Sequence, residues 1–199
     1  MRYRPRWGLL SLGAIMVIAL FTYPLWRTFF TGGTPQIQFP LVSPEQRAAL
    51  LGMPNREIAA TAYVSMLTVV PVPTEVLPPP IPADATILLT GTFTILDPVR
   101  GAQGKVTIFR LIDDSVIMRF DDFRVTNAPN LVVFLSANEA PKDPTDLGGV
   151  ASEWLAGQLS GTDGAQQFVI PRELRLEPYR TVVVMSESLG MIYSIAKLE

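Results

Sequence analysis

The longest apolar run in the chain extends from Trp7 to Trp26 and has no charged residue at any of its twenty positions. As an α-helix rising about 1.5 Å per residue, it would be about 30 Å long, the thickness of a bilayer's hydrocarbon core. Three arginines precede the run and only Arg27 closely follows it. By the positive-inside rule, the N-terminus is then cytoplasmic and the rest of the chain extracytoplasmic. Residues 1–30 are therefore predicted to be a single-pass signal-anchor in the cell membrane. A cleaved signal peptide is the alternative.

Residues 31–70 follow the anchor and carry the pattern of a short helical hairpin. Ser43, Pro44 and Gln46 form a helix start with a capping box, and Gly52 is expected to end that helix. Asn55 can cap a second helix, whose apolar face recurs every fourth residue at Ile58, Ala62 and Met66. This face indicates packing within the hairpin. The alternative is association with a partner helix.

Residues 71–84 form a proline-rich stretch, with six prolines between Pro71 and Pro82. Proline lacks an amide donor, which excludes a helix or a central strand. Twelve residues of polyproline II would extend about 37 Å. The composition predicts a semi-rigid stalk between the hairpin and the distal part. A ligand for a proline-recognition module is the alternative.

The distal part, residues 85–199, alternates short β-prone runs with turn signals. The runs are Ile87–Ile95, Lys105–Ile112, Ser115–Phe120, Leu131–Ser136, Trp154–Ser160, Gln166–Ile170, Thr181–Ser186 and Gly190–Lys197. Asp113-Asp114 is expected to form a two-residue hairpin turn. Leu131–Leu135 and Val182–Met185 are continuously apolar, as expected for strands covered on both faces. The pattern predicts a mainly β fold with an antiparallel β-sandwich as its distal domain.

Composition narrows the chemistry of this domain. The chain has no cysteine and no histidine, which excludes a thiol nucleophile, a Ser-His relay, thiolate or imidazole metal ligands, and lipid attachment to cysteine. Ten basic and fifteen acidic residues follow residue 83, a net charge of −5. Such a charge disfavours nucleic acid as a partner. We therefore expect no enzyme activity, no resident metal or cofactor, and no nucleic-acid binding.

Three sets of side chains match patterns that bind metal ions or carry out catalysis in other proteins. They are the aspartates Asp113, Asp114, Asp121 and Asp122, the methionines Met118, Met185 and Met191, and the S-x-x-K string from Ser194 to Lys197. The two aspartate pairs are expected at opposite ends of one strand, about 20 Å apart, which favours solvated turns over a Ca²⁺ site. The methionines favour core packing over a soft-metal site. In a strand, residues three apart face opposite sides, so the S-x-x-K match is attributed to chance.

The distal part also contains an ordered set of motifs. They are Gly91-Thr92-Phe93, Gly104 at the start of a hairpin, Phe120-Asp121-Asp122-Phe123 at its end, Ala128 to Ser136, Gln167 to Pro171, and Tyr179 to Val184 before a strand that ends at Leu198. Over residues 88–198, this order resembles the DM-thirteen domain family of bacterial envelope proteins. The resemblance implies a β-sandwich. It also implies electron transfer or redox work, a role that depends in that family on a cysteine after the Tyr179-type strand.

The chain departs from that family at the positions that carry its chemistry. The cysteine position is Ser186, the histidine position falls near Pro98, and the usual aspartate is Asn130. A hydroxyl does not cycle between oxidation states as a thiol does. The sequence therefore predicts a membrane-anchored extracytoplasmic module with a non-catalytic binding or structural role, toward an envelope protein or a small ligand. An electron-transfer domain that uses an external cofactor or partner is the alternative.

Overall fold

The computed structural model describes residues 42–67, 78–147 and 152–199, and these ranges contain two α-helices and eight β-strands. The elements are α1 (Pro44–Leu51), α2 (Arg56–Leu67), β1 (Thr86–Thr92), β2 (Ala102–Arg110), β3 (Val116–Val125), β4 (Leu131–Ser136), β5 (Glu153–Gln158), β6 (Gln166–Ile170), β7 (Thr181–Ser186) and β8 (Met191–Lys197). A 3-10 turn spans Pro144–Leu147. The predicted anchor, Trp7 to Trp26, lies outside the described residues. Among the helices in the described ranges, none has the length and apolar character of a bilayer span.

The two helices begin and end where the sequence pattern places them. Ser43 caps α1 by accepting the amide of Gln46 at 3.2 Å, while the Gln46 side chain accepts the amide of Ser43 at 3.0 Å. Gly52 ends α1. Asn55 caps α2 by accepting the Ile58 amide at 2.8 Å. Burial follows the expected apolar face of α2, with Ala62 fully buried and Ile58 and Met66 half-buried.

The eight strands form two antiparallel four-stranded sheets. Sheet A has the order β1-β2-β3-β6, and sheet B the order β5-β4-β7-β8. The predicted mainly β, antiparallel fold with two preceding helices is confirmed. The two continuously apolar runs are β4 and β7, the central strands of sheet B. Because β7 is buried at every position, both of its faces are covered.

A cluster of four phenylalanines fills the space between the sheets. Phe120 of β3 lies 4.8 Å from Phe93, 5.0 Å from Phe123 and 5.3 Å from Phe168, measured between ring centroids. The edge-to-face and tilted geometries are those that aromatic rings prefer. A second apolar cluster lies on the outer face of sheet B, where Val183 and Met185 pack with Leu147.

The sheets are joined along one edge by main-chain hydrogen bonds between the end of β1 and the end of β8. Thr90 and Glu199 exchange two bonds of 2.9 Å, and Phe93 bridges Ala196. Gly91 permits this approach, because a Cβ there would lie 2.5 Å from the Lys197 carbonyl oxygen. The connection between β5 and β6 crosses between the sheets at the other edge.

The hairpin of β2 and β3 differs from the expectation in its turn and its length. Leu111 donates to the Ser115 carbonyl at 2.8 Å, so the loop has three residues, and Asp114 takes the left-handed conformation that such loops require. β3 continues to Val125 rather than ending at Phe120. A β-bulge in β3, where Asp122 and Phe123 together face Gly104 of β2, keeps the longer strand paired, and Gly104 has a φ of 113° at this point.

The proline-rich stretch lies partly within the described residues, from Pro78 onward. The Arg119 guanidinium donates to the Pro79 carbonyl at 2.7 Å. The Ala85 amide donates to the Pro82 carbonyl at 3.1 Å, which turns the chain into β1. The distal end of the predicted stalk therefore rests on sheet A. Residues 71–77 lie outside the described part.

Candidate functional site

Ser186, which stands at the cysteine position of the resemblance, is a buried structural residue at the end of β7. Its hydroxyl donates to the Pro129 carbonyl at 2.5 Å and accepts the Leu189 amide at 3.3 Å. The side chain is fully buried. Ser186 therefore ties the segment before β4 to the β7–β8 turn, and both hydrogen-bonding functions of its hydroxyl are in use.

Asn130 lies at the same end of sheet B. It has a φ of 49°, its amide nitrogen donates to the Glu187 carboxylate at 2.7 Å, and its side-chain oxygen accepts from Gln158 at 3.2 Å. Asparagine tolerates this left-handed backbone better than most residues. Pro98 is exposed in the turn before β2, and its carbonyl accepts from Gln46 of α1 at 3.4 Å. Ser186, Asn130 and Pro98 therefore all make contacts that hold the fold together.

The aspartates separate as the sequence predicted, although two of them lie within β3 rather than at its end. Hydrogen bonds from the Ser115 side chain and amide hold the pKa of Asp113 below its ordinary value. Asp121 pairs with Arg119 at 2.7 Å, and Asp122 is exposed at the bulge. Within residues 42–67, 78–147 and 152–199, no three acidic side chains come together in a way that would hold a metal ion.

The methionines and the S-x-x-K residues are dispersed. Met118 lies on the inner face of sheet A, whereas Met185 belongs to the outer cluster of sheet B. Ser194 is buried and donates to the Thr94 carbonyl at 2.7 Å. Lys197 is exposed and pairs with Glu139 at 3.3 Å. Met118 and Met185 therefore lie in different apolar clusters, and Ser194 and Lys197 have separate partners.

The structure reveals a cleft that the sequence pattern did not indicate. It has a volume of about 260 Å³ and lies between the α1–α2 turn, the turn before β2, the loop before Leu147 and the start of β8. Its apolar lining includes Met53, Pro144 and Ile192, and its charged lining includes Arg100 and Lys142. Four separate segments of the chain meet here, which is why no local motif marks the cleft.

Arg100 is the best-fixed polar group of the cleft. Its Nε donates to Asp97 at 2.6 Å, and its Nη1 donates to the Ile192 carbonyl at 3.3 Å. Asp97 also accepts the amides of Val99 and Arg100, each at 2.8 Å. About a quarter of each charged side chain is exposed, so the ion pair is pre-organised and still accessible.

Tyr193 is buried beside this ion pair. Its side chain is 1% exposed, and its hydroxyl has no hydrogen-bond partner within the described part of the chain. Burial raises the pKa of Tyr193 to about 12. The charge of Arg100 lowers this pKa by a smaller amount, and the charge of Asp97 raises it. An unpartnered buried hydroxyl is costly, so the phenol must be held in place by the packing around it.

Comparison with known proteins gives no relative. No family model matches the chain, and no curated protein or solved structure does either.

Proposed function

We propose that this chain is a membrane-anchored, extracytoplasmic binding module of the bacterial cell envelope, with Trp7 to Trp26 in the bilayer and the β domain outside. The resemblance to the DM-thirteen family supports the setting. The observation that carries the binding role is the cleft, in which the Asp97–Arg100 pair is fixed against an apolar lining. A few placed polar groups in a mainly apolar recess are typical of binding sites.

The size and charge of the cleft indicate which kind of group could bind in it. At about 260 Å³ it is slightly below the range of drug-sized pockets, so it fits a protruding side chain or a fragment-sized ligand. Asp97, Arg100, Lys142 and Asp143 supply two charges of each sign. An apolar group with a polar end fits this lining better than a multiply charged ion. We therefore assign the cleft to an anchor residue of another envelope protein.

The alternative function is electron transfer with an external cofactor or partner. It needs a group that gains and loses electrons, and the hydroxyl of Ser186 is occupied by Pro129 and Leu189. A stoichiometric chromophore or transition metal in the purified full-length chain, found by absorbance and metal analysis, would favour electron transfer over the binding role.

Cysteine labelling tests the membrane topology. The chain has no cysteine, so Ser188→Cys in the exposed β7–β8 turn gives a unique reporter. A membrane-impermeant maleimide should label this variant on intact cells, and the unaltered chain serves as the blank. Labelling that appears only after lysis would overturn the extracytoplasmic assignment.

Filling the cleft tests the binding site. Met53→Trp places a large ring in the lining, while Val64→Trp on α2 adds the same ring at a position that is 62% exposed. After crosslinking in native membranes, Met53→Trp should lower recovery of the bound protein at least tenfold and Val64→Trp should not. Equal recovery with both variants would exclude the cleft as the binding site.

A further inference from the structure

The two acidic side chains of the cleft are already engaged within their own turns. Asp97 accepts the amides of Val99 and Arg100 on Oδ1, each at 2.8 Å, and the Arg100 Nε on Oδ2 at 2.6 Å. Asp143 accepts both the amide of Thr145, at 2.9 Å, and its hydroxyl on one oxygen. Asp143 is exposed, so water can solvate its other oxygen. Neither acid is therefore in need of a ligand.

The two basic side chains of the cleft keep free donors. A guanidinium has five N–H groups, and Arg100 uses one on Nε for Asp97 and one on Nη1 for the Ile192 carbonyl. Its Nη2 donates to no group within residues 42–67, 78–147 and 152–199. In the same ranges the ammonium of Lys142 has no hydrogen bond or ion pair, and only its main-chain amide is bonded. The free polar capacity of the cleft therefore belongs mainly to cationic donors.

A single carboxylate complements these donors better than other anions do. Arg100 is fixed by two bonds and is about a quarter exposed, so it loses little freedom when it binds an acceptor. Its planar N–H groups match the geometry of a carboxylate. The negative charges of Asp97 and Asp143 lie in the same lining and disfavour a phosphate or another multiply charged ion.

The main-chain groups around the cleft leave no place for an added strand. β8 is an end strand of sheet B, but along its free edge the Ile192 carbonyl accepts from Arg100 and the Ile195 carbonyl accepts from the Thr94 amide. The Met53 amide is bonded within the α1–α2 turn. An extended internal segment would find no main-chain partners here, so a polypeptide ligand is expected to enter by its end.

The size of the cleft favours one residue that carries both an apolar group and the carboxylate. Met53, Pro144 and Ile192 supply the apolar lining, and the volume of about 260 Å³ is below that of drug-sized pockets. An aspartate or glutamate side chain would bring the charge but leave the apolar lining unfilled. A C-terminal apolar residue brings both, and capture of a terminal carboxylate is an established mode of peptide recognition.

We propose that the cleft binds the C-terminus of a partner protein whose last residue is apolar. The terminal carboxylate lies on Arg100 and Lys142, and the last side chain packs against Met53 and Ile192. This inference rests on the proposed function, because it names the part of the envelope partner that enters the same cleft.

Peptide titration tests the carboxylate. The probe is Gly-Ser-Gly-Ser-Leu with a neutral fluorophore on its amino end, added to the full-length chain in detergent and followed by fluorescence anisotropy. The free acid should bind at least tenfold more tightly than the same peptide with a C-terminal amide, because amidation removes the charge with little change in shape. The amidated peptide Gly-Ser-Gly-Asp-Leu, which has only a side-chain carboxylate, should bind as weakly as the plain amide.

Substitutions of the two basic residues test where the carboxylate lies. Lys142→Gln, at an exposed position, and Arg100→Gln should each lower the affinity for the free acid and leave that for the amide unchanged. Lys105→Gln, exposed on β2, and Arg124→Gln, whose arginine pairs with Asp163, are the matched controls. If Arg100→Gln does not fold by circular dichroism, Arg100→Lys replaces it, since lysine keeps the charge but loses the guanidinium geometry.

Four results would overturn the proposal. They are equal affinity for acid and amide, loss of affinity in the control variants as large as in the cleft variants, tight binding of the amidated aspartate peptide, and binding of N-acetyl-leucine as tight as that of the peptide, which would assign the cleft to small carboxylates. If acid and amide bind equally and Met53→Trp abolishes both, the cleft remains the binding site and only the terminal carboxylate is excluded.

Discussion

Ser186 has a structural role at the end of β7, where its buried hydroxyl bonds to two segments of the chain. Ser186→Ala should lower the free energy of unfolding by about 1–3 kcal/mol, because the Pro129 carbonyl and the Leu189 amide lose a buried partner. Urea denaturation measures the change. Ser188→Ala, two residues on and exposed, should have little effect. Equal stability of both variants would refute the structural role.

A cysteine introduced at position 186 should not be a reactive thiol. In Ser186→Cys the sulfur would be fully buried, as the serine is. Thiols in such surroundings react slowly. Its reaction with a thiol reagent in the folded chain should be at least a hundredfold slower than that of Ser188→Cys. A comparable rate would show that this end of sheet B is open to solvent.

Tyr193 makes stability depend on alkaline pH. The folded chain holds the phenolic proton up to a pKa of about 12, whereas an unfolded tyrosine loses it near pH 10. The unfolded state thus binds fewer protons between about pH 10 and 12, so stability present below pH 10 is lost across that window. Tyr193→Phe should reduce this loss, as measured by Tm against pH.

At neutral pH, Tyr193→Phe should be neutral or stabilising, because the hydroxyl it removes has no partner among the described residues. Tyr63→Phe is the control and should leave the alkaline loss in place. A large loss of stability in Tyr193→Phe at neutral pH would indicate that the phenol has a partner after all.

At the residue scale, the sequence indicated where Ser186 and Asn130 lie in the fold better than it indicated what their side chains contact. It identified Ser186 and Asn130 as departures from a family pattern, but their hydrogen bonds depend on residues far along the chain. No sequence pattern marked Arg100 as a candidate site residue. Its fixed position depends on the Ile192 carbonyl, 92 residues later, and no local pattern contains that information.

At the scale of elements, the close contact of β1 with β8 gives a prediction. Gly91→Ala should cost about 1–3 kcal/mol, because its Cβ would press on the Lys197 carbonyl. It should also speed hydrogen exchange at the Thr90 amide, which donates across this edge. Gly52→Ala is the control, since its φ is −79° and its Cβ would come no nearer than 3.5 Å to the atoms around it. Unchanged protection at Thr90 would contradict this account.

Periodicity predicted the elements because their signals are local. The capping box of Ser43 and the apolar runs of β4 and β7 are readable without knowledge of the fold. The extension of β3 was missed because it depends on a bulge at Asp122 and Phe123 that faces Gly104 of the neighbouring strand. The contact of Pro79 with Arg119 was missed for the same reason, since composition describes the segment but not its receptor.

At the scale of the whole molecule, the β domain should fold without the proposed anchor. Deleting residues 1–30 should move the chain from the carbonate-resistant membrane fraction to the supernatant. The circular dichroism of the β-sheets should persist, because all the described residues belong to one compact unit. Loss of the β signal on deletion would show that the anchor contributes to folding.

The double pairing of β1 also has a mechanical consequence. β1 is bonded along its length to β2 of sheet A and at its end to β8 of sheet B. Tension arriving from the N-terminal side meets the contact of Gln46 with Pro98, then the contact of Pro79 with Arg119, and then a strand fastened to both sheets. A pull from that side would therefore be shared by both layers of the domain and would not peel one edge strand away.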